Sequence, residues 1–449
     1  MRKLLFLLVF AVMSSSVVRA NDYNEGIEAY EKKDYATALK LWRPLAIEGD
    51  ASSQSILGVM YHEGKGVKQD YKEAVKWFRK AAEQGDVYAQ STLGLMYHDG
   101  EGVKQDYKES VKWYQKAVKQ GDVYAQSALG LMYHDGKGVK KDYKEAVKWY
   151  QKAAEQGDVY AQSALGLLYQ DGRGVKKDYK KAVKWYQKAA KQGDVYAQSA
   201  LGLLYQDGRG VKKDYKKAVK WYQKAAKQGD VYAQSALGLL YQDGKGIKQD
   251  YKKAVKWYQK AAEQGDVYAQ STLGLLYQDG KGIKQDYKEA VKWYQKAAEQ
   301  GDVYAQFNLA MMYENGKNGV QQDYKEALKY YRLAAEQGND GAQFNLGFMY
   351  GKGEGTVQDH KESVKWYQKA AAQGHAKAQY TLGFIYGNGQ GVKKDHIYAY
   401  MWLDLSASNG EKLGDRGRDL IAKEMTPVQI SKAKNMVKEC KKKKYKNCD

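Results

Sequence analysis

The chain has 449 residues and a formal net charge of +21, with only 2 prolines and 2 cysteines but 46 glycines and 41 tyrosines. Length alone predicts about three ordinary domains, but the tyrosines recur in fixed surroundings, which indicates a repeat array. Both cysteines lie in the last ten residues, so a fold that depends on disulfides throughout is excluded. A positive surplus of this size favours association with anionic surfaces.

The first 20 residues have the pattern of a secretory signal peptide. A basic start precedes an apolar run from Leu4 to Val12, and Val18-Arg19-Ala20 fits the small-x-small cleavage rule. The run is too short to span a bilayer, and no later stretch is apolar enough for a membrane helix. We expect a periplasmic or secreted protein without stable membrane insertion, for which nucleic acid is not an expected partner. An uncleaved N-terminal anchor is the alternative.

The tryptophans set a period of 36 residues. They recur at that spacing from Trp77 to Trp293, Tyr330 takes the next place after one inserted residue, and Trp366 and Trp402 resume the spacing. The pattern predicts eleven helical hairpins between residues 23 and 410, the first of them a terminal cap. Stacking buries the apolar side that a single hairpin leaves open. The period therefore predicts an all-α solenoid of helix-turn-helix repeats.

Residues 86–121 show how one unit forms its hairpin. The first helix is predicted to bury one face, which consists of Ala89, Leu93, Met96 and Tyr97. Gly94 borders this face, and because a helical glycine costs about 1 kcal/mol relative to alanine, it indicates the close approach of another helix. The second helix is predicted to bury Ser110, Trp113, Tyr114 and Ala117, with Val111 at the margin.

Helix ends are predicted from capping residues. Asp106 is a good N-cap for the second helix, Glu109 three residues later is predicted to complete a capping box, and Gly121 ends the helix. After residue 410 the pattern changes to one or two closing helices, with Thr426 as N-cap and Pro427 at the first helical position.

The repeated pattern is present in full in one unit, at Ala161, Leu165, Gly166, Tyr169, Gly172, Gly174, Val175, Asp178, Ala182, Trp185, Tyr186, Lys188, Ala189, Ala190, Gln192 and Gly193. It resembles the Sel-one-like repeat family, a relative of the tetratricopeptide repeats, in a bacterial exported form. The resemblance covers most of the chain. It implies a right-handed superhelix whose concave groove binds other proteins.

Five segments are therefore predicted. They are a signal peptide at 1–20, a capping hairpin at 21–49, a repeat solenoid at 50–410, capping helices at 411–439 and a basic two-cysteine tail at 440–449. In an oxidising compartment Cys440 and Cys448 are candidates for a disulfide. Two free thiols on a frayed tail are the alternative.

No motif in the sequence supports catalysis. His62, His98 and His134 share one repeat position, but stacked helical repeats lie about 10 Å apart, roughly one helix diameter, whereas metal ligands lie at about 2 Å. The serine-x-x-lysine string at Ser431 and Lys434 lacks its partner motifs. We therefore predict no enzyme, no cofactor and no metal site. An enzyme acting on cell wall or β-lactams is the third hypothesis.

The leading hypothesis is a scaffold that binds a protein partner. Units 156–191 and 192–227 are identical at every position, and interchangeable units suit repeated weak contacts rather than one catalytic centre. Residues opposite the buried stripe of the first helix are candidates for the groove: Tyr160, Ser163, Leu167, Tyr196, Ser199, Leu203, Tyr232 and Tyr268. The alternative is that these residues pack between adjacent repeats.

The second hypothesis is an adaptor for an anionic cell-envelope polymer. Each of the two identical units has eight basic and three acidic residues, a net charge of +5. The candidate basic face lies on the second helices and consists of Lys180, Lys184, Lys188, Lys191, Lys216, Lys220 and Lys224. A role in solubility alone is the alternative.

Overall fold

The computed structural model describes residues 21–316, 319–445 and 448, and this part of the chain is helical with no β-strand. The helices form two compact units, of which the first ends at Ala225 and the second begins at Ala226. The predicted signal peptide and residues 317 and 318, which lie around the single inserted residue, are outside the described residues.

The first twelve helices are α1 (21–31), α2 (Tyr35–Ile47), α3 (Ala51–Glu63), α4 (Tyr71–Glu83), α5 (Val87–Asp99), α6 (Tyr107–Lys119), α7 (Val123–Asp135), α8 (Tyr143–Glu155), α9 (Val159–Asp171), α10 (Tyr179–Lys191), α11 (Val195–Asp207) and α12 (Tyr215–Lys227). The others are α13 (Val231–Asp243), α14 (Tyr251–Glu263), α15 (Val267–Asp279), α16 (Tyr287–Glu299), α17 (Val303–Asn315), α18 (Tyr324–Glu336), α19 (Asp340–Lys352), α20 (His360–Ala371), α21 (Ala376–Asn388), α22 (His396–Ser408), α23 (Lys412–Ala422) and α24 (Pro427–Lys442).

Helices α1 to α22 alternate between the first and the second helix of a hairpin, which confirms the predicted helix-turn-helix solenoid. The predicted buried stripes are confirmed as well. In the unit at 86–121 every residue named for the two stripes is at most 9% exposed. Both helices bury one face against each other and a second against neighbouring repeats. The buried side chains form a series of apolar clusters along each unit, such as those around Tyr97 in the first unit and Tyr331 in the second.

Repeated caps fix where each helix begins and ends. The Asp158 carboxylate accepts the Ala161 amide at 2.6 Å at the start of α9, and Gly172 ends that helix in the left-handed region at φ +76°. The second helix begins in the same way at Asp178, whose carboxylate accepts the Lys181 amide at 3.0 Å. An aspartate N-cap satisfies an amide that has no partner within the helix, and glycine adopts positive φ without a steric penalty.

The glycine inside each first helix allows the two helices of a hairpin to approach closely, as predicted. A Cβ atom on Gly94 would lie 2.7 Å from the Tyr114 ring, and one on Gly166 would lie 2.5 Å from the Tyr186 ring. Both tyrosines are buried. The helix-propensity cost of glycine is therefore offset by the packing of a large aromatic ring.

Glutamine side chains connect one repeat to the next. Gln162 is buried and donates to the Ala154 carbonyl at 3.1 Å, and its own carbonyl accepts from Gln192 at 2.9 Å. The same relay recurs in both units, for example from Gln300 to Gln270 at 2.8 Å. Buried amides need such partners, since an unsatisfied one costs about 1–3 kcal/mol.

A serine-aspartate bond forms a second connection between repeats. The Ser127 hydroxyl donates to the Asp158 carboxylate of the next repeat at 2.9 Å. In the second unit the serine position becomes Phe307 and the capping position becomes Asn339, whose side chain still accepts the Ala342 amide at 2.7 Å. The capping residue Asn339 is thus uncharged at the place where the preceding first helix has Phe307 and no serine hydroxyl to donate to it.

Of two predictions about helix ends, the N-cap at Thr426 is confirmed, and the one at Asp106 is right for the N-cap but wrong for the capping box. Thr426 and Gln429 form a true capping box at the start of α24. The box predicted at Asp106 is wrong, because the Asp106 amide already donates to the Tyr97 carbonyl at 2.9 Å and Glu109 pairs with Lys112 at 2.7 Å instead. An occupied backbone amide leaves nothing for the glutamate to accept.

The C-terminal boundary at residue 440 is also wrong. Helix α24 continues to Lys442, and Cys440 in its last turn is 2% exposed in the core of the second unit. Beyond the helix, the Tyr445 hydroxyl donates to the Asn409 side chain at 2.8 Å. The cysteine therefore belongs to the closing helix rather than to a tail.

Among the described helices, none combines the length and apolar character needed to cross a membrane.

Candidate functional site

A row of exposed tyrosines marks the first helices. Each is the second residue of its helix, and each is between 48% and 72% exposed. The tyrosine row consists of Tyr88, Tyr124, Tyr160 and Tyr196 in the first unit and of Tyr232, Tyr268 and Tyr304 in the second. Four of the seven, Tyr160, Tyr196, Tyr232 and Tyr268, are among the predicted groove residues, and the 36-residue period was the signal that could have added the other three.

A buried aromatic ring supports most of the exposed rings: Phe78 contacts Tyr88, and buried tyrosines contact Tyr124, Tyr160, Tyr196 and Tyr268. The rings of Tyr150 and Tyr160 lie edge to face with centroids 6.0 Å apart, and Tyr186 and Tyr196 repeat this geometry at 6.0 Å. Burial raises the pKa of Tyr150 and Tyr186 far above the ordinary tyrosine value, so both hydroxyls stay protonated. The exposed ring is thus held on one side by the core and is open on the other.

A row of apolar side chains lies on the same first helices. Leu167 and Leu203, both predicted for the groove, are half-buried. The row continues with Leu95 and Leu131 in the first unit and with Leu239, Leu275, Met311, Phe348 and Phe384 in the second. The last four are 38–46% exposed. The larger side chains toward the C-terminus were not predicted, because Leu167 and Leu203 come from two identical repeats and show no variation.

The serines predicted for the groove are buried, which corrects the sequence analysis. Ser163 is 7% exposed and donates to Asp194 of the next repeat at 2.9 Å, and Ser199 is 6% exposed. For these two residues the alternative prediction, packing between adjacent repeats, is right. Their hydroxyls serve the stack because a first helix contacts both neighbouring repeats as well as its own second helix.

A cavity of about 300 Å³ opens between first helices in the first unit. It is lined by the exposed Tyr124 and Tyr160, by the buried Tyr114, and by Leu95 and Leu131. Asp158 also lines this space. Aromatic walls with a few polar groups are the usual composition of a binding pocket.

The first and the second helices of the hairpins differ in charge. None of the first helices from α3 to α17 contains lysine or arginine, whereas α10 contains five lysines and no acidic residue. The capping carboxylates of Asp122, Asp158 and Asp194 form no ion pair within 4.0 Å in the described part of the chain. The first-helix face is therefore neutral to acidic on a strongly basic protein.

The second helices carry the predicted basic face, and all seven of its lysines are exposed. Lys188 lies over the Trp185 ring at 4.3 Å and Lys224 over Trp221 at 4.6 Å, distances at which cations attract aromatic faces. Lys148 pairs with Glu145 at 3.3 Å. In α10 the residue three positions before Lys184 is Lys181 rather than a glutamate. Helix α10 therefore lacks this intrahelical ion pair.

Four histidines, His62, His98, His134 and His396, each lie beside a single carboxylate. His62 Nε2 lies 3.1 Å from Glu101, and His98 Nδ1 lies 2.6 Å from Asp99. Over the described ranges, no cluster of three or more histidine, cysteine, aspartate or glutamate side chains is arranged to hold a metal ion. Ser431 and Lys434 are both exposed on α24. Cys440 and Cys448 are joined by a disulfide that closes a loop at the end of α24.

Comparison with known proteins agrees with this architecture. The Sel1 repeat model matches ten consecutive segments at 51–86, 87–122, 123–158, 159–194, 195–230, 231–266, 267–302, 303–339, 341–375 and 376–411. No curated protein matches the chain.

Two solved structures are similar over most of their length. One is a protective antigen present in uropathogenic Escherichia coli strains that displays an SLR fold, with 36% identity and a TM-score of 0.64 over 91% of this chain and 96% of that one. The other is a Sel1 repeat protein from Oxalobacter formigenes, with 36% identity and a TM-score of 0.54 over 69% of this chain and 89% of that one. The chain therefore belongs to the Sel1 repeat family.

Proposed function

We propose that the protein is an exported, non-catalytic scaffold that binds a protein partner through its first-helix face. The tyrosine row carries this proposal. Its rings recur in every hairpin from α5 to α17 and are 48–72% exposed, and buried aromatic neighbours hold rings such as Tyr160 and Tyr196 in place. Sel1 repeats generally mediate protein interactions, which agrees with this role.

Exposed tyrosines on a rigid support are efficient binding residues. A tyrosine offers a large contact area at the cost of only two side-chain torsions, and the contact with a buried ring such as Tyr150 reduces that cost further. First helices of neighbouring repeats, such as α7 and α9, also contact one another, whereas second helices make no comparable contact across the described repeats. This closer approach favours a concave face on the tyrosine side.

The test is capture of the partner from the native cell envelope by purified full-length protein. A variant with Tyr124→Ala, Tyr160→Ala and Tyr196→Ala is expected to capture at least about tenfold less, since buried interface tyrosines contribute more than 1 kcal/mol each. A matched variant with Lys180→Gln and Lys184→Gln is the control and is expected to capture normally. Undiminished capture by the tyrosine variant, folded as judged by its unfolding midpoint, contradicts the proposal.

Export rests on residues 1–20 and has its own test. The N-terminus of the protein purified from its native host is expected to be residue 21, and the protein to be recovered from periplasm or medium. A start at Met1 in the cytosolic fraction contradicts export without affecting the binding face.

The lysine face supports a second candidate function, binding to an anionic cell-envelope polymer. The observation in its favour is the exposed, acid-free surface of α10, where Lys184 lacks the glutamate partner that Lys148 has. Such binding is expected to weaken steeply with salt, because exposed charges are screened beyond about 8 Å at physiological ionic strength. Binding that persists in high salt, or that survives Lys180→Gln and Lys184→Gln, contradicts this candidate.

A further inference from the structure

The first-helix face combines aromatic rings, apolar side chains and unpaired carboxylates at a fixed spacing. In each hairpin of the first unit from α5 to α11 an exposed tyrosine lies two residues after the capping aspartate. The carboxylates of Asp122, Asp158 and Asp194 have no basic partner within 4.0 Å among the described residues, although the chain carries a charge of +21. Such carboxylates beside open aromatic faces suit a cationic ligand.

Asp158 shows that the carboxylate can accept another bond. Its two hydrogen bonds, from the Ala161 amide at 2.6 Å and the Ser127 hydroxyl at 2.9 Å, both end on Oδ1. The residue lines the cavity of about 300 Å³ between Tyr124 and Tyr160. The oxygen Oδ2 is therefore positioned to accept an N–H group that enters this space.

We infer that the tyrosine row of the first unit holds an extended polypeptide segment that has a basic residue at about every third position. This inference rests on the proposed function and specifies the partner's chemistry. Stacked helices lie about 10 Å apart. A polypeptide in the extended polyproline II conformation has three residues per turn and advances about 3.1 Å per residue, so three residues of the segment span one hairpin and every third side chain lies on the same side. Each lysine or arginine meets one capping carboxylate and one tyrosine ring, while the residues between them contact Leu131 and Leu167.

The probe is a synthetic peptide of about twelve residues, long enough to span the four hairpins of the tyrosine row in the first unit at this spacing, with lysine at every third position and alanine and serine elsewhere. A peptide of the same composition with all its lysines at one end is the matched control. The spaced peptide is expected to bind full-length protein more tightly than the clustered one, and a glutamate version is expected not to bind. Equal affinity for the spaced and clustered peptides overturns the inferred spacing of basic residues at every third position.

The protein variant that isolates the charge is Asp122→Asn, Asp158→Asn and Asp194→Asn. Asparagine keeps the cap, as Asn339 does in this chain, so the unfolding midpoint is expected to stay near that of the wild type. Affinity for the spaced peptide is expected to fall about tenfold, which corresponds to three exposed pairs of about 0.5 kcal/mol each. Unchanged affinity overturns the inference.

The two proposals fail in distinguishable ways. If the asparagine variant captures the native partner normally while the triple tyrosine variant does not, the first-helix face still binds a protein but the basic segment is wrong. If both variants capture normally, the proposed function fails together with the inference.

Discussion

Replacing Asp158 with alanine tests how one residue holds two repeats together. Its Oδ1 accepts the Ala161 amide at 2.6 Å, which caps α9, and the Ser127 hydroxyl at 2.9 Å, which ties α7 of the preceding repeat to that cap. Ser127 is 7% exposed, so water cannot fully replace the lost acceptor. Asp158→Ala thus removes a helix cap and an inter-repeat bond in a single step.

The expected loss of stability follows from these two contacts. Losing an aspartate N-cap costs about 1 kcal/mol, and a hydrogen bond to a charged group contributes about 1.5–3 kcal/mol. Because Asp158 is partly exposed, the lower part of that range applies, and the sum is about 2–3 kcal/mol. Asp158→Asn keeps both acceptor bonds and is expected to cost less than about 1 kcal/mol.

Hydrogen exchange followed by mass spectrometry is the appropriate assay, because repeat arrays do not unfold as a single unit. The opening free energy of peptides from α7 and α9 is expected to fall in Asp158→Ala, while peptides from α19 stay unchanged. Ser127→Ala completes a double-mutant cycle, in which the two substitutions are expected to be less than additive. Equal protection in Asp158→Ala and Asp158→Asn would refute the reasoning.

Three further predictions concern other parts of the chain. Gly166→Ala is expected to lower stability by about 1–2 kcal/mol in thermal or urea unfolding, since its Cβ would lie 2.5 Å from the Tyr186 ring; a stabilised variant would contradict this packing. His375 caps α21 by accepting the Ala378 amide at 3.1 Å, and burial lowers its pKa from 6.5, so the unfolded chain takes the proton first. Stability is therefore expected to be full above pH 6.5 and to decline as the pH falls toward the lowered value, whereas His375→Asn should flatten that decline. Reducing the disulfide of Cys440 is expected to speed exchange at the end of α24 and nowhere in the first unit; unchanged exchange would show that packing alone holds this end.

The repeat period was sufficient to predict most of the fold. Each hairpin contains its own capping residues and buries one face of each helix. The spacing of apolar and small residues along the sequence identifies that face, as at Gly94 and Tyr114. Because neighbouring repeats have nearly the same sequence, the same position is exposed in each of them. A tyrosine that recurs at one such position therefore pointed to the tyrosine row.

What sequence reasoning missed depends on contacts between repeats. Ser163 lies opposite the stripe on a helical wheel, but a wheel treats the helix as having one partner, whereas α9 contacts the repeats on both sides. The capping box at Asp106 failed because the competing acceptor, the Tyr97 carbonyl, lies nine residues earlier in the chain. The boundary at Cys440 failed because a lysine-rich composition suggested a solvated tail, while one face of α24 packs into the core.

The most direct measurement of the binding face is site-specific photo-crosslinking within a single hairpin. A photoreactive residue at Leu167 lies on the first-helix face, and one at Lys184 lies on the lysine face of the same repeat. In the native cell envelope, protein adducts are expected from Leu167 and not from Lys184. Adducts that form from Lys184 alone would contradict the proposal that the first helices hold the partner.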